Sequence, residues 1–172
     1  PRGAVHIIGA YAVRAAVGGF ARHSRFTLDV DLVLREVDYA GAVLEAAQTL
    51  GMTAVSHSWG LELKKADPRL EKYYVKLEFG YPDVPEADFR YDPELTYEGC
   101  VESAGGIRLC GVKIQRIEVV LLSKLLRSPH IPHDPVDFMA VDSAASEGLL
   151  QLDWELVERL VTPRLAEAAR RY

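Results

Sequence analysis

The sequence predicts an α/β (α+β) domain, built on a mixed β-sheet flanked by helices and closed by a helical tail. Three observations carry this. Short apolar or alternating runs at 4–8, 27–34, 52–58 and 72–80 read as strands. Helical stretches lie between the first and second of these and between the second and third. After residue 116 the pattern turns wholly helical. The chain has 172 residues, 49% of them hydrophobic, which suffices for one domain with a true core. We expect a core at 1–115 and a helical part at 116–172 packed on it.

Each element has its own signal. Residues 4–8, Ala4-Val5-His6-Ile7-Ile8, form a short buried strand. Gly9 turns the chain into an apolar helix at 10–17, which Gly18-Gly19 terminate as a C-cap. The strand at 27–34 follows. Ala40, Val43, Leu44, Ala47 and Leu50 recur at helical spacing over 39–50, with Gly51 as cap. Strands near 52–58 and 72–80 are separated by a polar turn at Ala66-Asp67-Pro68. Residues 81–99, rich in proline and acids, read as an excursion with a short strand, and 106–114 as one or two more. Helices fill 116–127, 135–146 and 153–170. In the last, Leu152, Leu156, Leu160, Val161 and Leu165 extend an apolar stripe begun by Leu149 and Leu150.

The chemistry concentrates at 25–33. In Arg25-Phe26-Thr27-Leu28-Asp29-Val30-Asp31-Leu32-Val33, the period of 2 sends Asp29 and Asp31 to one face and Leu28, Val30 and Leu32 to the other. Two adjacent carboxylates repel unless a cation holds them. Such an oxygen pair suits Mg²⁺, which binds through one or two carboxylates plus substrate phosphates. The plain alternative is a solvated edge strand. Upstream, strand, glycine turn and helix N-terminus form a phosphate site through free backbone N–H groups and the helix dipole.

Gly9-Ala10-Tyr11-Ala12, followed by Arg25-x-Thr27-x-Asp29-x-Asp31, resembles the signature of the DNA polymerase β-type nucleotidyltransferase superfamily. The branch it looks most like is that of the minimal and AbiEii-like nucleotidyltransferases, some of which are toxins of toxin–antitoxin pairs. The resemblance spans about residues 4 to 140. It implies a nucleotidyltransferase-like fold and transfer of NMP from an NTP to a hydroxyl acceptor. The acceptor would be a tRNA end, a protein hydroxyl or a small molecule such as an aminoglycoside. An antitoxin protein would be a further partner.

The resemblance also assigns roles. Asp29, Asp31 and Glu78 would hold Mg²⁺ (or Mn²⁺), with Glu78, on the strand Tyr73 to Phe79, completing the site or taking the acceptor's proton. Lys76 lies two residues before Glu78 and reads as its charge partner. Gly9, Ala10, Arg25 and Thr27 would bind nucleotide. Lys124, on the apolar face of the 116–127 helix, would neutralise the triphosphate, unless it simply snorkels from the stripe's edge. His133-Asp134-Pro135-Val136-Asp137 resembles the family's Lys/Arg-Asp-x-x-Asp segment. Asp134 reads as an N-cap, and Asp137 would pair with Lys124 or contact nucleotide. The chain departs from the pattern at Ala10, where Ser or Gly is usual, at Glu78, where Asp is more usual, and at His133. Two alternatives stand beside the enzyme: a catalytically inactive nucleotide-binding relative, and an interaction module whose carboxylate strand is only surface.

Composition sets the remaining bounds. A net charge of −5 excludes a general nucleic-acid footprint, although Arg14, Arg22, His23 and Arg25 cluster near the proposed phosphate site. No apolar run reaches the length of a membrane span. Cys100 and Cys110 flank a turn at Gly105-Gly106 and can face each other; with no signal peptide in view we expect thiols and a cytoplasmic protein. His130 and His133 read as ordinary loop residues rather than a metal pair. The chain lacks Asn altogether, which points to a thermophilic source. It starts at Pro1, directly before a core strand, and we expect a segment ahead of it.

Overall fold

The computed structural model describes residues 3–18, 27, 29–66, 74–82, 92–102, 108–126 and 134–171. Their elements run β1 (Val5–Ile7), α1 (Gly9–Ala16), β2 (Asp29–Leu34), a 3₁₀ turn (Val37–Tyr39), α2 (Ala40–Thr49), β3 (Thr53–His57), β4 (Gly60–Ala66), β5 (Tyr74–Gly80), β6 (Thr96–Glu102), β7 (Arg108–Gln115), α3 (Ile117–Leu126), α4 (Asp134–Ser146) and α5 (Trp154–Arg171). The strands form one mixed sheet in the order β3-β4-β5-β2-β1-β7-β6. The α/β class expected from the sequence is therefore the one observed.

The centre of the sheet follows from apolar alternation. Antiparallel pairing sets Val5 opposite Leu34 and Ile7 opposite Leu32, and parallel pairing sets Ile7 beside Ile114. On the other side of β2, Val30 and Leu32 lie beside Leu77 and Phe79, which pair in turn with Leu63 and Leu61. These side chains share one face and one core cluster with Ala12, Val13 and Val17 of α1 and its C-cap, Ile117 and Val120 of α3, and Val141 and Ala144 of α4. Each such Leu, Ile or Phe contributes roughly 1.5–3 kcal/mol by leaving water. The helices thus cover one face of the sheet. The tail belongs to the same core, since residues of α3 and α4 pack among those of β1, β2 and α1.

Polar side chains pin the connections. Gln115 is fully buried, and its amide donates to the carbonyls of Asp92 (3.1 Å) and Leu95 (2.7 Å) and accepts from the Asp92 N–H. Buried Glu118 accepts from the backbone N–H of Asp153 at 2.9 Å, while Asp153 caps α5 through the Leu156 N–H. Arg116 donates to both carboxylates, which ties the start of α3 to the start of α5.

Two features differ from expectation. β4 lies where the sequence analysis left a gap between strands. Leu61-Glu62-Leu63-Lys64 alternates as a strand should, but the short turn at Ser58-Trp59 merges it visually with its predecessor. The expected thiols are a disulfide: β6 and β7 set Cys100 directly opposite Cys110, with Cα atoms 4.0 Å apart, and the two are bonded. Reducing compartments rarely keep such a bridge, hyperthermophiles excepted. The proposed turns at Asp67-Pro68 and Gly105-Gly106, together with Gly19, Arg22, His23, Arg25, His130 and His133, lie outside the described residues. Among the described residues no helix is long and apolar enough to cross a membrane.

One buried titratable group predicts a pH dependence. His6 is 4% exposed in β1, and burial holds its pKa below the ordinary histidine value despite a contact with the Gly3 carbonyl at 3.1 Å. The folded chain therefore binds a proton at His6 less readily than the unfolded chain. Stability from this residue is present above the unfolded pKa of about 6.5 and is lost as pH falls through it. Thermal melts from pH 7.5 to 5.0 should show a fall in Tm that is shallower in His6→Gln than in the wild type.

Candidate active site

Over β4, β5 and the first half of β2, the face of the sheet turned away from the helices is polar. Asp29 and Asp31 stand on it, both half-buried, as the period of 2 requires. β5 runs parallel beside β2 in a register that sets Lys76 opposite Asp29 and Glu78 opposite Asp31. β4 then sets Glu62 opposite Glu78 and Lys64 opposite Lys76. The three carboxylates expected to act together, Asp29, Asp31 and Glu78, are thus brought together on two adjacent strands.

Lys76 is the cation among them. Its ammonium lies 3.2 Å from Asp29 Oδ2 and 2.8 Å from Glu78 Oε1. Partial burial works against its charge, but the hydrogen bonds to Glu78 and Asp29 outweigh burial and raise its pKa. The charge-partner expectation for Lys76 holds, and extends from Glu78 to Asp29. On the neighbouring strand the hydrogen bond from Lys64 holds the Glu62 carboxyl below the usual range.

Gly9 joins this cluster to the helix N-terminus. The Ile8 N–H donates to the Asp31 carbonyl at 3.0 Å, which extends the β1–β2 pairing to the foot of α1. Gly9 then turns at φ 60°, and a Cβ on it would overlap Oδ2 and Cγ of Asp31. A side chain is excluded twice, by the left-handed backbone and by the carboxylate. Ile8, at the N-cap of α1, makes no side-chain capping hydrogen bond, and the positive end of the helix lies beside the Asp31 carboxylate. Ala10 is 3% exposed beneath this turn. Arg14 lies one turn along with its guanidinium 5.9 Å over the Tyr11 ring.

The remaining candidates fall in three places. The Thr27 hydroxyl bonds to the backbone of Asp29, with its oxygen 3.2 Å from the Asp29 carbonyl and 3.3 Å from the Asp29 N–H, so Thr27 orients the start of β2. Arg25 lies outside the described residues. Lys124 is buried on α3, its ammonium 2.9 Å from Asp134 and 2.7 Å from Asp137 in the first turn of α4. The expected Lys124–Asp137 pairing is present, and Asp134 completes a buried triad. A separate hollow of about 450 Å³, lined by Gly3, Glu98, Cys110, Gly111 and Lys113, lies toward the start of β1, away from the carboxylates.

Among the described residues no group of three or more His, Cys, Asp or Glu side chains forms a ready metal cage. Mg²⁺ does not require one, because it keeps waters and binds through one or two carboxylates plus substrate phosphates. Asp29 and Asp31 are hard oxygen donors on one face beside a phosphate-accepting helix end, and this donor set fits a metal shared with a nucleotide.

Sequence reasoning missed Glu62 and Lys64 because it missed β4. It also passed over the His57–Trp59 stack, because Trp59 lies in the hairpin turn itself.

The fold matches solved structures. A solution structure of the antibiotic-resistance factor ANT(2″)-Ia aligns over 97% of this chain and 85% of its own, with a TM-score of 0.56 at 18% identity. ANT(2″)-Ia in complex with adenylyl-2″-tobramycin aligns over 98% and 88%, with a TM-score of 0.52 at 22% identity. An antigenic nucleotidyltransferase-like protein from Paracoccidioides brasiliensis aligns over 83% and 67%, at 0.52 and 19%. The sheet and helices are thus those of a nucleotidyltransferase fold. No family model matches the sequence, and no curated protein matches it.

Two substitutions follow from this geometry. Gly9→Ala should cost about 2–5 kcal/mol, from the left-handed backbone and the overlap with Asp31. Adding Asp31→Ala should return part of that cost, a coupling readable in a double-mutant cycle of urea unfolding. Lys124→Met should cost about 3–5 kcal/mol, because it removes the ammonium that two buried carboxylates share. Combining it with Asp134→Asn and Asp137→Asn should recover most of the loss, measured in the same way.

Proposed function

We propose that this protein is a metal-dependent nucleotidyltransferase that moves NMP from an NTP to a hydroxyl acceptor. The observation that supports this most is the packing of Gly9 against the Asp31 carboxylate. It sets an anion-accepting helix end and a carboxylate pair side by side, where a nucleotide triphosphate and its metal need both. The nucleotidyltransferase fold of ANT(2″)-Ia agrees with it.

The chain's own groups would then act by position and charge. The N–H groups at the start of α1 would hold the phosphates, and Arg25 of the sequence motif is the candidate for added positive charge. Asp29 and Asp31 would hold the metal; a bound Mg²⁺ would supply charge neutralisation at the phosphates and lower the pKa of the acceptor hydroxyl. Glu78, beside Asp31 in register, takes the acceptor's proton or steadies the metal site. Thr27 fixes the approach of Asp29. Lys124 serves as a positioning residue, since its buried ammonium is held between Asp134 and Asp137 and ties α3 to the first turn of α4. Placement in an AbiEii-like branch, with an antitoxin partner, rests on the order of Gly9, the Arg25-to-Asp31 motif, Lys124 and the Asp134-x-x-Asp137 pair.

An inactive relative is the second reading, favoured by one observation: Lys76 is already paired with both Asp29 and Glu78. Nucleotide binding that needs no Mg²⁺ would support it.

The test is transfer of label from each α-³²P NTP with Mg²⁺ to total tRNA, lysate protein or tobramycin. We expect label to move onto one acceptor class, and Asp29→Asn/Asp31→Asn to lower the rate at least about a thousandfold. Failure with every NTP, with the double mutant unchanged in nucleotide and Mg²⁺ binding, would overturn the catalytic reading.

A further inference from the structure

The hollow toward the start of β1 has a disulfide in its wall. Cys110 lines it together with Gly3, Glu98, Gly111 and Lys113, and its volume is about 450 Å³. Small-molecule sites run from about 300 to 1,000 Å³. A β-bulge shapes the hollow. Along β6 and β7 the register sets Glu98 opposite Lys113 and Gly99 opposite Val112, then skips Gly111 and sets Cys100 opposite Cys110. Such a bulge bends the strand and re-aims the side chains next to it. Gly111, the skipped residue, turns at φ 73°, a backbone that suits glycine. It brings no side chain of its own, and a Cβ there would meet nothing nearer than Glu98 Oε1 at 3.8 Å. Bare backbone therefore forms part of the floor. Around it stand a carboxylate, a lysine opposite that carboxylate, and a bonded sulfur.

The two sulfurs differ in access. Cys110 is exposed, whereas Cys100 is half-buried. Exchange begins with attack of a thiolate on one sulfur of the bridge, so its course depends on which sulfur can be reached. An incoming thiolate therefore meets Cys110. Its sulfur bonds to Cys110 Sγ, the Cys100–Cys110 bond breaks, and the electron pair leaves on Cys100 Sγ, which takes a proton from water. Cys100 then either attacks Cys110 Sγ, expels the small thiol and restores the bridge, or stays reduced. In the second case another molecule of the small thiol attacks the first one's sulfur, which leaves Cys110 reduced as well and releases the small disulfide. The charges beside the bridge select the thiol. Among the described residues neither Glu98 nor Lys113 is held in an ion pair. Glu98 accepts from an ammonium group and Lys113 donates to a carboxylate, and hydrogen bonds between charged groups are the strong ones. A ligand that answers both carries an ammonium and a carboxylate of its own, as an amino acid does.

We propose that the Cys100–Cys110 bridge is a site of reversible thiolation, and that the hollow beside it takes a small thiol of amino-acid or short-peptide type. The test uses the full chain, oxidised in air, with glutathione as the zwitterionic thiol and 2-mercaptoethanol as the uncharged one. Each rate of bridge opening is divided by that thiol's rate with a small aromatic disulfide, which removes its intrinsic reactivity. Glutathione should then react at least about fivefold faster than 2-mercaptoethanol, the order that two exposed charge pairs supply. Mass mapping of acid-quenched protein should find the adduct on Cys110. Glu98→Gln/Lys113→Gln should bring the two normalised rates level, while the melting temperature shows the variant folded and its 2-mercaptoethanol rate shows the bridge intact. The wild-type ratio and the adduct position decide the matter even where that variant fails to fold. Two unbonded thiols in the air-oxidised protein, a bridge inert to both thiols, an adduct on Cys100, equal normalised rates, or a glutathione advantage that survives the double substitution would overturn the proposal.

Discussion

The site depends on how closely Gly9 approaches Asp31. β1 and β2 pair antiparallel through three residue pairs, and the Ile8 N–H adds one more bond to the Asp31 carbonyl. That last bond brings the turn into α1 down onto the carboxylate. Any side chain at Gly9 would push the helix end and the carboxylate apart, so one glycine sets the distance between the first turn of α1 and Asp31. The apolar partners behind it, Ile7, Leu32, Ala12 and Val13, keep the strand pair and α1 together as one unit.

A second constraint acts across the sheet. β2 is flanked by β1 on one side and by β5, in parallel, on the other. One face of this trio must be apolar to hold the helices. Alternation then delivers every second residue, Asp29, Asp31, Lys76 and Glu78, to the opposite face without further design. The core and the site are two readings of one period, and a one-residue slip of β5 would bury Lys76 and Glu78 and expose Leu77 and Phe79.

Local patterns were therefore the legible part. Gly9, the Asp29/Asp31 alternation and the apolar stripes around Ile117 and Leu156 each announce themselves within a few residues. Glu78 was legible only through its resemblance to a family pattern, since nothing local says which strand pairs with β2. The Lys124–Asp134–Asp137 triad was half legible: an apolar face with one lysine demands a carboxylate, and Asp137 was a named partner. That Asp134 would join depended on how α3 meets α4. β4 was lost because a two-residue hairpin turn at Ser58-Trp59 leaves no loop to mark it. That Cys100 and Cys110 would face each other was legible from the turn between them; that they are bonded was misjudged, because the expectation of thiols rested on the lack of a signal peptide rather than on geometry.

Charge on the open face carries the last step. On β4, β5 and β2, Glu62, Glu78, Asp29 and Asp31 stand with Lys64 and Lys76. Lys64 belongs to Glu62, and Lys76 is shared between Asp29 and Glu78. Among the described residues four acids thus meet two bases on this face, and pairing across neighbouring strands answers much of their charge. In the function proposed above, a triphosphate would reach Asp29 and Asp31 in company with a metal, which answers the repulsion that a bare anion would meet there.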